Sequence, residues 1–129
     1  MTAALAPAVC GTGGYLPTAL VPAAVALEKH PGWAASTDVE RRLRCTLETH
    51  HRGAHHGLVL ELAGVDTGSV WTTWTADQPP GTLTVLPDCP ALEGGDGREP
   101  CCGYAGHPGG HTFQLRDPLD EFSHALTYQ

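Results

Sequence analysis

Hydrophobic positions along this chain change period several times, and each change marks an element. Val21, Val25 and Leu27 recur at helical spacing within residues 19–30, a segment rich in alanine. Pro22 suits a first turn and Pro31-Gly32 supplies a stop, so the segment predicts a short helix. Trp33 is expected to pack at its end, with His30 as a charge partner for its C-terminus rather than a ligand. Thr37 followed by Glu40 forms a capping-box pattern and predicts a helical turn.

From Leu43 the period drops to two. Leu43, Cys45 and Leu47 alternate with Arg42, Arg44, Thr46 and Glu48, and then Leu58, Leu60 and Leu62 alternate with Val59 and Glu61. Two strands joined by a histidine-rich loop would make a hairpin. Residues 70–75, with Trp71 and Trp74 on opposite faces, and residues 82–86 read as further strands by β-branched and aromatic content, both tryptophans being expected in the core. Residues 112–115 read as a last strand. Asp117-Pro118 would open a terminal helix with Leu119, Phe122 and Leu126 as its stripe and Asp120 and His124 as a surface pair. Residues 1–17 and 90–100 carry turn residues rather than a period. The pattern predicts an α+β fold: a small antiparallel sheet of about four to five strands, two or three short helices and long Gly/Pro-rich loops.

The chain has 129 residues, which suits a single domain over 1–129. Gly (16) and Pro (11) are abundant and charged residues make up only 16%, so regular structure is sparse and its core needs reinforcement. The net charge of −7 argues against a nucleic-acid binder, which presents a basic face, and favours a protein partner. No uninterrupted apolar segment reads as a signal peptide or a membrane span, so the expectation is a cytoplasmic chain with reduced thiols. Lys29 is the single lysine among seven basic residues, a bias of GC-rich bacterial genomes. Oligomeric state has no signature here.

The cysteines and histidines carry the candidate chemistry. Cys45, His51 and His55 are separated by five and then three residues, and Cys101, His107 and His111 repeat that spacing, each with a glycine (Gly53, Gly109) midway between the histidines. Zinc takes thiolate sulfur and imidazole nitrogen in a tetrahedron, and a structural site is closed by four such ligands. Cys10 and Cys89 supply the fourth in each case. The expected sets are Cys10, Cys45, His51, His55 and Cys89, Cys101, His107, His111, holding two Zn²⁺, with Cys102 spare or exchanging with Cys101. Only five residues separate cysteine from histidine, against about twelve in a DNA-reading finger, so that class is excluded. Two alternatives remain at this stage. If Cys10 did not reach its site, Cys45, His51 and His55 would leave an open zinc position with Glu48 or Asp66 as base, a hydrolase arrangement. Cys101-Cys102 could instead serve as a redox-sensing thiol pair. A phosphate-binding loop at Cys10–Gly14 is rejected for want of a preceding strand and a following lysine.

Overall fold

A computed structural model describes residues 7–50, 52–94 and 98–117 of the chain. The fold is α+β, with five short strands in two antiparallel sheets. Strand β1 (Gly13–Tyr15) pairs with β2 (Arg42–Arg44). Strands β3 (His55–Glu61), β4 (Ser69–Trp74) and β5 (Thr84–Leu86) form the second sheet in that order. Helix α1 (Leu20–Ala26) lies between β1 and β2, followed by a 3₁₀ turn at Ser36–Asp38; a second 3₁₀ turn spans Thr112–Gln114.

The expected hairpin between residues 43–48 and 58–62 does not form. Period two identifies a strand but not its neighbour. β2 takes its ladder from β1, where Gly13 pairs with Arg44 and Tyr15 with Arg42, a segment that offered no apolar alternation. β3 takes β4, with His55 opposite Trp74 and Leu58 opposite Trp71. The two sheets are bridged by a backbone bond, Glu40 N–H to the Val59 carbonyl at 2.8 Å, and pack on each other through Leu43 and Trp74.

The alternation expected in β3 is also broken. Leu58 pairs with Trp71 and Leu60 with Val70, which leaves Val59 as the extra residue of a β-bulge. The bulge lets consecutive residues, Val59 and Leu60, both enter the core. They join Leu16, Val21, Ala24, Val39, Leu43, Leu47, Val70, Trp71 and Trp74 in one apolar cluster. Trp74 fits there because two glycines make its slot. A Cβ on Gly14 of β1 or on Gly57 of β3 would lie 2.8 Å from the indole carbons.

Helix α1 is shorter than its sequence pattern. Leu27 and Glu28 close three-residue turns on Ala24 and Val25, and the Glu28 carboxylate then accepts the N–H groups of His30 and Ala63. That ties the helix end to the turn after β3. Trp33 does not pack there; it is 71% exposed. The turn after the helix is capped two residues earlier than expected, with Asp38 Oδ2 accepting the Ala35 N–H and Glu40 turned to the Arg42 N–H. Residues 112–115 are not a strand, because Thr112 N–H turns inward to the Cys101 sulfur and Gln114 folds back on His111. The terminal helix expected from Pro118 onward, with Asp120 and His124, lies outside the described residues.

Candidate metal centres

Two groups of four side chains come together. Cys10, Cys45, His50 and His55 form one, and Cys89, Cys101, His107 and His111 the other; within each, the candidate ligand atoms all lie within 4.8 Å of one another. His51, expected in the first set, lies outside the described residues, and its neighbour His50 stands in the group. Cys102 is exposed and outside the second group. All five cysteines carry free thiols.

The spacings fit an ion. Zinc bonds of about 2.3 Å to sulfur and about 2.0 Å to nitrogen imply tetrahedral edges of roughly 3.3 Å between nitrogens and roughly 3.5 Å between nitrogen and sulfur. In the second group Cys101 Sγ lies 3.3 Å from His107 Nε2, Cys89 Sγ lies 3.5 Å from His111 Nδ1, and the two imidazole nitrogens are 3.3 Å apart. In the first, Cys10 Sγ lies 3.5 Å from His55 Nδ1 and Cys45 Sγ lies 3.7 Å from His50 Nε2. The same ring atom is used at the same place in both groups: Nε2 by the first histidine, Nδ1 by the second.

Outer contacts set the tautomer. His50 Nδ1 faces the Arg52 carbonyl at 2.8 Å, and His107 Nδ1 faces the Pro108 carbonyl at 3.2 Å. A carbonyl only accepts, so the proton sits on Nδ1 and the Nε2 lone pair is left toward the sulfur, the arrangement that orients metal-binding imidazoles. His55 has a lowered pKa, first because it is desolvated and then because His50 is near, which keeps it in the neutral, ligating form.

The backbone beneath the two groups follows one pattern. Cys10 donates its N–H to Leu47 and Cys45 donates to Thr12; likewise Cys89 donates to Gly103 and Cys101 to Ala91. In each exchange the acceptor stands two residues beyond the other cysteine. Val9 bridges Glu48 as Asp88 bridges Tyr104. Thr49 bonds Ala8 as Ala105 bonds Pro87. Gly11 adds a bond to the Cys45 carbonyl that its counterpart Pro90 lacks, having no N–H. Each buried thiol also collects two backbone N–H groups at matching offsets, Leu47 and His56 for Cys45, Gly103 and Thr112 for Cys101. Desolvation nevertheless raises the Cys45 pKa, and burial raises that of Cys89. At Cys101 burial pushes the thiol up, but the Thr112 and Gly103 amides, with the His111 imidazole, outweigh it and bring the pKa down to about 6.

Aromatic rings and one carboxylate join the two centres. Trp74 underlies His55, with ring centroids 5.7 Å apart. His56, next along β3, lies 4.9 Å from Tyr104, which in turn contacts Trp71 and His107. Glu48, in the first ligand loop, accepts the Gly110 N–H of the second at 3.0 Å.

Of the other candidate groups, His30 bonds Glu28 at 3.2 Å and belongs to neither centre. Asp66 sits on a tight turn in the left-handed region, beside Thr67 and Val85, and belongs to neither centre. Spacing alone could not separate His50 from His51, because adjacent residues differ by one step. Comparison with protein-family models, curated proteins and solved structures gave no match. Among the described residues no helix is long and apolar enough to cross a membrane.

Proposed function

We propose that the chain is a zinc protein with two structural Cys2His2 centres, and that it works as a non-catalytic binding or accessory module for a protein partner. The observation that carries this reading is the presence of two complete four-donor sets at tetrahedral spacing. The ligands would be Cys10, Cys45, His50 and His55 in one centre and Cys89, Cys101, His107 and His111 in the other. Thiolate and imidazole donors suit zinc, whereas magnesium and calcium take oxygen. The shared backbone pattern supports reading the centres as two versions of one metal-binding unit.

Four protein donors leave no position for a substrate or water, which favours a structural over a catalytic ion. The general-base candidates agree: Glu48 is engaged with Gly110 and Asp66 belongs to neither group. The energetic case is equally direct. Strands of three to seven residues bury a modest core, and an ion bound only by the folded chain adds its binding free energy to folding. Each centre would clip a segment bearing an upstream cysteine (Cys10 or Cys89) to the segment that carries the second cysteine and both histidines. Desolvated thiols such as Cys45 and Cys89 are protonated without metal, so loading would release protons.

Elemental analysis of protein purified without a chelator or a histidine tag tests the reading. Two zinc ions per chain, and a melting temperature that collapses in EDTA, are expected. A metal-free chain whose melting is unchanged by EDTA would refute it.

A further inference from the structure

Beside the Glu40–Val59 bond that bridges the two sheets, residues of β2 and β3 line a cleft of about 600 Å³. Trp33 stands on its rim with Asp38, Glu40 and Glu61, and Leu58 lines it. Trp33 is 71% exposed, whereas Trp71 and Trp74 are 2% and 5% exposed. Its nearest ring is His30, edge-on at 6.4 Å. A second hollow of about 440 Å³ shares Trp33 and Glu61 and continues past Glu28 and His30, so the indole sits where the two meet.

The charges around the indole are unbalanced. Asp38, Glu40 and Glu61 are all exposed. Asp38 and Glu40 each accept one backbone N–H through a single oxygen. Of the two arginines on the cleft wall, Arg44 is held by both oxygens of Asp117 at 2.7 Å, while Arg42 donates through Nε to the Tyr15 hydroxyl and is attracted by Glu40, which leaves three carboxylates against its one charge. An exposed indole face among carboxylates is a site for a flat cation, which stacks on the ring while its N–H groups reach the acids. The whole chain, at −7, would draw such a partner in.

We infer that the cleft between β2 and β3 docks an arginine-bearing extended segment of a partner protein, with a guanidinium stacked on Trp33 and paired with Glu61 and Glu40. Two hollows joined at the indole suit a segment laid along them better than a compact small molecule. Guanidinium is favoured over ammonium because it is planar and weakly hydrated. This rests on the module half of the proposed function and is independent of the metal.

The test uses the zinc-loaded protein and an acetylated octa-arginine peptide, titrated by calorimetry. Trp33→Ala should weaken binding tenfold or more while zinc content and melting stay at the parent value. Glu40→Gln with Glu61→Gln should weaken it severalfold. Asp77→Asn with Glu99→Gln, which removes the same charge elsewhere on the surface, should change it less than twofold. Octa-lysine should bind several times more weakly than octa-arginine. Unchanged affinity in Trp33→Ala, equal losses in the two charge-removal pairs, or octa-lysine binding as well as octa-arginine would each overturn the assignment. A zinc-loaded chain that ignores octa-arginine would sink the cleft and leave the metal reading standing. Trp33-dependent binding by a chain without zinc would do the reverse.

Discussion

Glu48→Ala is expected to loosen one metal centre by acting on the other. The carboxylate belongs to the first ligand loop, between Cys45 and His50, and its Oε1 accepts the Gly110 N–H between His107 and His111. Its Cβ also lies where a side chain on Gly109 would sit, 2.8 Å away, so the loops are in contact. A hydrogen bond to a charged group contributes about 1.5–3 kcal/mol. Both partners are half-buried, so water can recover part of that on substitution, and about 1–2 kcal/mol is the expected loss. If the loss falls on the ordered loop of the second centre, its zinc affinity drops roughly 5–30-fold. Competition with a chromophoric zinc chelator reads this in two backgrounds. With both centres intact the substitution should produce the full drop at the second centre. With the first disabled by Cys10→Ser, Glu48 is no longer held in place and the drop should shrink severalfold, a double-mutant coupling. Equal drops in both backgrounds, or none in either, would show that Glu48 does not connect the centres.

Three other predictions concern the metal, the core and pH. Cys101→Ser should lower the zinc content from two per chain to one, whereas Cys102→Ser should leave two, both read by native mass spectrometry. Gly57→Ala places a methyl 2.8 Å from Trp74 and 3.1 Å from the Leu43 Cβ, so it should cost about 1–3 kcal/mol by overpacking, read as a lower urea midpoint. Glu28 has a lowered pKa, first from the Ala63 N–H and then from the His30 N–H, so the folded chain binds fewer protons there than the unfolded one. Its contribution is therefore present above the ordinary carboxylate value and lost as pH falls through the folded one. Glu28→Gln should be less stable than the parent at neutral pH, with the gap closing in acid, followed by denaturation at a series of pH values.

The fold class was legible because period two and period 3.6 survive in short elements. Strand partners were not, since alternation in residues 42–48 says which face is apolar and nothing of what lies alongside. The pairing of β1 with β2 follows from the reciprocal bonds of Cys10 and Cys45, which a glycine-rich segment does not announce. The bulge at Val59 is silent for the same reason: Leu58, Leu60 and Leu62 alternate cleanly, and the extra residue shows only once β4 is in place. Thr112–Gln114 has the composition of a strand but lies where its amide is taken by the Cys101 sulfur. Trp33 was expected against the end of the helix, and its exposure depends on where the chain leaves α1. At the centres, residue type and spacing brought forward every member of the two groups except His50. Requiring the same cysteine-to-histidine interval in both loops selected His51. In the two groups the intervals from cysteine to first histidine differ by one residue, while the distance to the second histidine is the same in both.

X-ray absorption at the zinc edge, on protein whose metal content has been counted, bears most directly on the central claim. The account predicts two zinc ions per chain with an average first shell of two sulfurs at about 2.3 Å and two nitrogens at about 2.0 Å, and no oxygen. Fewer than two ions, or a shell completed by water oxygen, would contradict it.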